Sequence, residues 1–206
     1  MKFRKPLKIT QRASSVTNSF VQAVIPWVPP SPTQQSEALK VLGMEDGIVC
    51  AYCGGVASDW DHLRPLVRNK RPTGYISDYK NLVPACGRCN QSKGAQDWRS
   101  WISGGAAGSP TSRGVADLSN RIAVLDRFES WGAVSPLPLE ELAAPELWSK
   151  HWENLRRLEE ALQEAQRHAT VLQAEVRKTS GTNSRCIAPE LSITLDTHTG
   201  DCRKTP

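Results

Sequence analysis

Apolar positions recur at helical spacing in four stretches of the chain. Residues 10–25 open at Thr10 and set Ala13, Val16, Phe20, Val21 and Val24 on one side, which predicts a first helix. Pro26, Pro29, Pro30 and Pro32 stop it and impose an extended connector. A second helix is predicted from about Thr33, with Ala38, Leu39 and Leu42 inward and Gly43 at its end. A third runs from about Asp117 to Trp131 on Leu118, Ile122, Leu125 and Phe128. The fourth opens at Pro145 and carries Trp148, Leu155, Leu158, Leu162, Ala165, Ala169, Leu172 and Val176, with only His151 out of register. That seam serves equally a long helix packed on its own domain and a dimerisation helix.

The middle of the chain reads differently. Val56 to Leu63 predicts a short strand, and a helix is predicted from Asn90 through Trp98 and Trp101. Gly104, Gly105, Gly108, Pro110 and Gly114 have the composition of a linker. From Thr179 onward Thr, Ser, Gly and Asn dominate, as in a poorly ordered tail. The expected division is an N-terminal basic helical region at 1–44, a core at 45–102, a linker at 103–116, a helical region at 117–178 and a tail at 179–206. The class is α+β, mostly helical.

With 206 residues, 39% of them hydrophobic, the chain is long enough to bury a core. No apolar run approaches the roughly 20 residues that span a bilayer, and the polar stretch Ile9–Ser19 after a basic start argues against an export signal. A cytoplasmic protein without membrane contact is expected. The formal charge is +5, and the excess is uneven. Lys2, Arg4, Lys5, Lys8 and Arg12 precede any acid, and Arg64, Arg68, Lys70 and Arg71 form a second acid-free group. A basic front half suits a polyanionic partner, most simply nucleic acid, although a generically basic surface would look the same. The N-terminal helices then either pack beside the core or lie along that partner.

Four of the six cysteines stand in two pairs, Cys50–Cys53 and Cys86–Cys89, each with a two-residue gap. A disulfide framework has no reason to repeat that gap. A tetrahedral zinc site does, because it brings two thiolates of one turn to the same ion. Cys186 and Cys202 lack such partners and are read as incidental.

The 32 residues between the pairs exceed what a compact zinc ribbon needs, and they contain Asp61-His62. Adjacent strand residues face opposite ways, so these two meet only if the strand end twists or bulges, which Arg64-Pro65 permits. Asn90 follows the last cysteine of the second pair. One carboxylate and one amide oxygen suit a hard divalent cation with open positions for phosphate oxygens and water. A nearby histidine accepts a proton at neutral pH. Together these groups suffice for metal-assisted phosphodiester hydrolysis.

In this order the residues resemble the HNH family of nucleases. The resemblance covers the block Cys50–Lys93: the cysteine pairs, Asp61-His62-x-x-Pro65, Asn81, and the Asn90-x-x-Lys93-Gly94 run. It implies a ββα-metal finger, a β-hairpin and a helix around one metal, stapled by a structural Zn²⁺ on Cys50, Cys53, Cys86 and Cys89. It further implies His62 as general base, Asp61 and Asn90 as ligands of a catalytic Mg²⁺ or Mn²⁺, and Asn81 as a brace of the hairpin loop. Arg64, Arg68, Lys70, Arg71 and Lys93 are the expected nucleic-acid contacts, with Tyr75 or Tyr79 available for stacking. Trp60, Trp98 and Trp101 are expected in the core rather than as stacking platforms.

The leading expectation is therefore an endonuclease acting on DNA, with RNA left open as a substrate and a homodimer through residues 145–178 left open as its assembly. The alternative is a zinc-stapled nucleic-acid-binding module that does not cut. A restriction enzyme, a mobile-element or phage nuclease and a defence effector would all carry such a block.

Overall fold

The computed structural model describes residues 5–180, so Cys186, Cys202 and nearly all of the expected tail lie outside the described residues. Two compact units divide the chain after Gln163. The first unit begins with a 3-10 turn at Ile9–Arg12, then α1 (Ala13–Gln22) and α2 (Pro32–Val41). Helix α2 starts one residue earlier than its pattern suggests because Ser31 caps it: Oγ accepts from the Gln34 amide while Gln34 reaches back to the Ser31 N–H. Pro32 occupies the first turn, where a missing N–H costs nothing.

Strand β1 (Asp59–His62) pairs antiparallel with a strand at Leu82–Ala85 in the register Asp61 to Val83 and His62 to Leu82. Between them the chain makes an excursion containing a minimal ribbon, β2 (Val67–Arg68) and β3 (Arg71–Pro72), which makes the Leu82–Ala85 strand β4. The ribbon turns on Asn69 and Lys70, both at positive φ (51° and 61°), the pattern of a tight hairpin turn. After β4 comes α3 (Gly87–Lys93), then α4 (Trp98–Ile102). The single helix expected here is broken for a local reason. Gly94, at φ +51°, ends α3, and the Asp97 carboxylate accepts from the Ser100 amide to start α4.

Residues 103–116 have the composition of a linker but are folded in place. Ser109 is fully buried and its hydroxyl donates to the Gly104 carbonyl, while the Thr111 hydroxyl caps the Ile102 carbonyl. At Gly104 an added Cβ would lie 2.7 Å from the Ser100 carbonyl oxygen, so this glycine answers to close packing rather than to flexibility. A 3-10 turn at Thr111–Arg113 leads to α5 (Leu118–Gly132), a short α6 (Leu139–Leu142) and α7 (Pro145–Thr179).

Two apolar clusters hold the first unit together. The larger joins Ala38 and Leu42 of α2, Tyr52, Leu63, Val83, Trp98, Trp101, and Leu125 and Phe128 of α5. The smaller joins Val21 of α1 to Leu66, Trp152 and Leu155. Each cluster draws on segments well separated in sequence, because a four-residue strand or a ten-residue helix cannot bury its apolar face alone. Trp98 and Trp101 are core residues at 1% exposure, whereas Trp60, on the outward face of β1, is 41% exposed. In the second unit, within the described residues, the end of α7 presents Leu172 and Val176 at more than half exposure. No helix among the described residues is long and apolar enough to cross a membrane.

Candidate metal centre and nuclease cleft

The cysteine pairs converge. Their four sulfur atoms lie within 4.8 Å of one another, and none is in a disulfide. A metal–sulfur bond of about 2.3 Å in a tetrahedron sets sulfurs roughly 3.8 Å apart, and Cys53 Sγ and Cys86 Sγ stand 3.8 Å apart. Local backbone dictates this. Cys50 and Cys53 flank a tight turn in which the Gly54 amide donates to the Cys50 carbonyl and the Cys50 amide to the Gly55 carbonyl. Cys86 is the N-cap of α3, accepting from the Cys89 amide, and Cys89 is one turn into that helix. The Cys50 thiol is pushed down to about 5 by a hydrogen bond from Cys89, which outweighs burial, while the Cys89 thiol is pushed up in return. The Arg113 guanidinium lies 3.3 Å from Cys89 Sγ, and Arg121 lies over Gly54 of the knuckle. Both cations come from the stretch at and after the supposed linker, and nothing in their sequence context marks them as neighbours of thiols.

The expected polar residues share a cleft. Asp61, His62 and Asn90 line a cavity of about 230 Å³, joined by Asn18 and Gln22 of α1. The strand ends at His62, where the chain bends away, and this is how adjacent residues reach one cavity. The bend is pinned by Asn81, which is fully buried. Its Oδ1 accepts from the Arg64 amide at 2.8 Å, and its Nδ2 donates to the Arg64 and Ile76 carbonyls at 3.1 and 3.3 Å.

Asp61 is 6% exposed, and its Oδ2 takes two strong partners: the Tyr52 hydroxyl donates at 2.6 Å and the Lys93 ammonium stands at 3.0 Å. Burial and the Asp61 charge push the Tyr52 phenol well above its usual value, so it stays a donor. His62 Nε2 is 2.9 Å from Ser77 Oγ, leaving Nδ1 without a hydrogen bond among the described residues. Burial pulls the His62 imidazole below its usual value, with Asp61 opposing and Lys93 adding to the effect. Tyr52 and Ser77 were not among the residues the sequence brought forward. Tyr52 stands in the sequence only as one of the two residues between Cys50 and Cys53, and Ser77 had no signal.

The expected nucleic-acid contacts separate. Lys93, read as a phosphate contact, has a fully buried side chain whose Nζ bridges Asp61 and the His62 carbonyl oxygen at 2.7 Å, out of reach of any phosphate on the surface. It is drawn in because the buried Asp61 carboxylate requires a counter-charge. Arg64 is likewise turned inward, its side chain 11% exposed, with Nε beside Glu129 at 3.4 Å and Nη2 donating to the Glu129 carbonyl at 2.9 Å. Lys70 is exposed but paired with Glu159 at 2.8 Å, and Arg71 lies over the Trp152 ring at 4.4 Å. Arg68 remains exposed, with no ion pair among the described residues.

Residues 50–96 match the family model described as HNH endonuclease. The HNH match takes in both cysteine pairs, Asp61, His62, Asn81 and Asn90, and it ends two residues after Gly94. The match suggests a nuclease-type function for this block and implies nucleic-acid binding. No curated protein and no solved structure matches the chain.

Proposed function

We propose that this protein is a divalent-metal-dependent endonuclease that hydrolyses phosphodiester bonds of DNA. His62 is the general base, Asp61 and Asn90 hold one Mg²⁺ or Mn²⁺, Asn81 braces the loop, and Cys50, Cys53, Cys86 and Cys89 hold a structural Zn²⁺. The order β1, β4, α3 is then a ββα-metal finger. The observation that carries the reading is the common cleft of Asp61, His62 and Asn90 inside the HNH match. The donor set fits a hard cation: a carboxylate whose Oδ1 takes no hydrogen bond among the described residues, and an amide oxygen. Four thiolates suit zinc and leave no position open for water, so that ion is structural.

When bound, the catalytic cation offsets charge on the phosphate and on the leaving oxygen. His62 supplies the base. In the tautomer whose Nε2–H donates to Ser77 Oγ, 2.9 Å away, the lone pair is on Nδ1, and burial, which lowers the imidazole's pKa, keeps the ring neutral at pH 7. Water bonds to phosphorus as its proton passes to Nδ1, and the bond from phosphorus to the leaving sugar oxygen breaks. Exposed Arg68 grips a flanking phosphate. A homodimer through residues 145–178 is the assembly to test: a dimer in sedimentation at micromolar concentration supports it, and a monomer makes the seam internal packing.

The Lys93 ammonium on Asp61 favours one other reading, a nucleic-acid-binding module whose acidic ligand is spent on an internal ion pair. Nicking of supercoiled plasmid, with and without chelator, separates the two. Metal-dependent nicking by the wild type and none by His62→Ala supports the nuclease; no cutting in any divalent metal supports the module.

A further inference from the structure

We infer that the cleft takes up its cation and the substrate phosphate as a linked pair, because Lys93 cancels the charge of the only acidic residue that lines it among the described residues. This rests on the nuclease reading of the cleft. Of the lining residues, Asn18, Gln22 and Asn90 are neutral amides, and Asp61 alone is a carboxylate. The Lys93 side chain has no solvent exposure, and its ammonium is held by Asp61 Oδ2 at 3.0 Å and by the His62 carbonyl oxygen at 2.7 Å. An ammonium taken out of water is tolerated only with an opposing charge, and Asp61 is its sole ion-pair partner among the described residues. The Tyr52 hydroxyl, at 2.6 Å, ties the same Oδ2 in place. The carboxylate is thus oriented, with Oδ1 left over, but electrically spent.

A divalent cation entering this cleft meets donors whose net charge is near zero. Hard cations of this kind are normally held by one or two carboxylates together with substrate phosphates. Here the carboxylate contributes geometry and the phosphodiester must contribute the charge. The consequence is reciprocal: DNA raises the affinity for the cation, and the cation raises the affinity for DNA by the same factor. Coupling between two sites typically amounts to about 5–150-fold. An enzyme built in this way holds its catalytic cation more tightly while a substrate phosphate is in the cleft.

The test uses the full-length, zinc-loaded His62→Ala protein, which holds DNA without cutting it. Mn²⁺ affinity is measured by electron paramagnetic resonance of free Mn²⁺, with and without a saturating 20-mer duplex. The same titrations on the duplex alone subtract Mn²⁺ held by the DNA itself. The expected result is at least tenfold tighter Mn²⁺ binding with DNA, matched by an equal gain in DNA affinity with Mn²⁺. Lys93→Met, in the same background, should bind Mn²⁺ more tightly without DNA and show a smaller effect of DNA. Equal Mn²⁺ affinity with and without DNA overturns the inference, as does undiminished coupling in a folded Lys93→Met protein. If Lys93→Met does not fold, judged by circular dichroism and zinc content, the comparison without it still decides. Plasmid nicking by the wild type keeps the two claims apart: cutting without coupling removes this inference alone, and failure to cut removes the nuclease reading.

Discussion

The cysteine cluster and the polar cleft both use α3, yet they are held by opposite means. The cluster is local and redundant. One tight turn and the first turn of α3 aim four sulfurs at one point, with the Arg113 cation beside Cys89 and Arg121 over Gly54. The cleft is assembled from afar, with Asp61 fixed by Tyr52 and Lys93, His62 by Ser77, and the bend beneath them by Asn81. A metal knuckle tolerates distant change because its geometry is written in a few adjacent residues. A cleft of this kind does not, because each functional atom depends on a partner from another element. The difference predicts where substitutions should abolish the fold, where they should abolish chemistry, and where they should do both.

The largest effect is expected at the cluster. Apparent metal binding contributes roughly 10–16 kcal/mol in small zinc sites, against about 5–15 kcal/mol for the stability of a typical domain. Cys86→Ser should therefore unfold the hairpin and α3 along with the core they share, as seen by circular dichroism and zinc stoichiometry. A well-folded Cys86→Ser protein without metal would break the comparison at its strongest point.

The next effects sharpen the contrast inside the cleft. Asp61→Ala strands the buried Lys93 ammonium, and breaking a buried pair from one side costs about 3–5 kcal/mol; chemical denaturation should show that loss along with the loss of activity. His62→Ala removes only a ring that lines the cleft. It should lower cleavage by roughly 10²–10⁴ with unchanged melting, unchanged zinc and no rescue by added metal. Equal melting of the two variants would show that Lys93 does not depend on Asp61.

Arg113→Gln probes the outer layer of the cluster. Its effect on metal affinity should be about 10–100-fold, the usual range for groups that contact ligands, read by competition with a chromogenic chelator while the fold persists. The smallest change is expected at Arg68. Arg68→Gln should weaken DNA binding uniformly across sequences and reduce the salt slope by about one, with cleavage of bound DNA unchanged. A loss of melting stability in that variant would mean that the ribbon serves the fold rather than the partner.

Much of the helical framework follows from periodicity. The spacing of Leu118, Ile122, Leu125 and Phe128 places α5 to within a residue, and Pro145 marks the start of α7. The errors have a common cause. The break between α3 and α4 was missed because the pattern of apolar residues continues across it, while the Gly94 and Asp97 caps that interrupt it are single residues. The glycines of 103–116 have the composition of a linker, yet Gly104 is required by the approach of Ser100. Composition alone does not distinguish a glycine that allows motion from one that allows contact.

By itself the sequence determined the residue types and spacings that chemistry demands: paired cysteines at two-residue gaps, Asp61 beside His62, and asparagines at 81 and 90. These are short-range facts, set by turn and helix geometry over a few residues. Only the tertiary structure decided which charges face solvent. Lys93 and Arg64 look in the sequence like Arg68, yet the first is buried on Asp61, the second is drawn to Glu129, and Arg68 remains exposed. The reason is electrostatic. Whether a cation stays in water or is taken into the protein depends on whether an anion awaits it there, and that anion comes from a part of the chain that spacing along the sequence does not reveal.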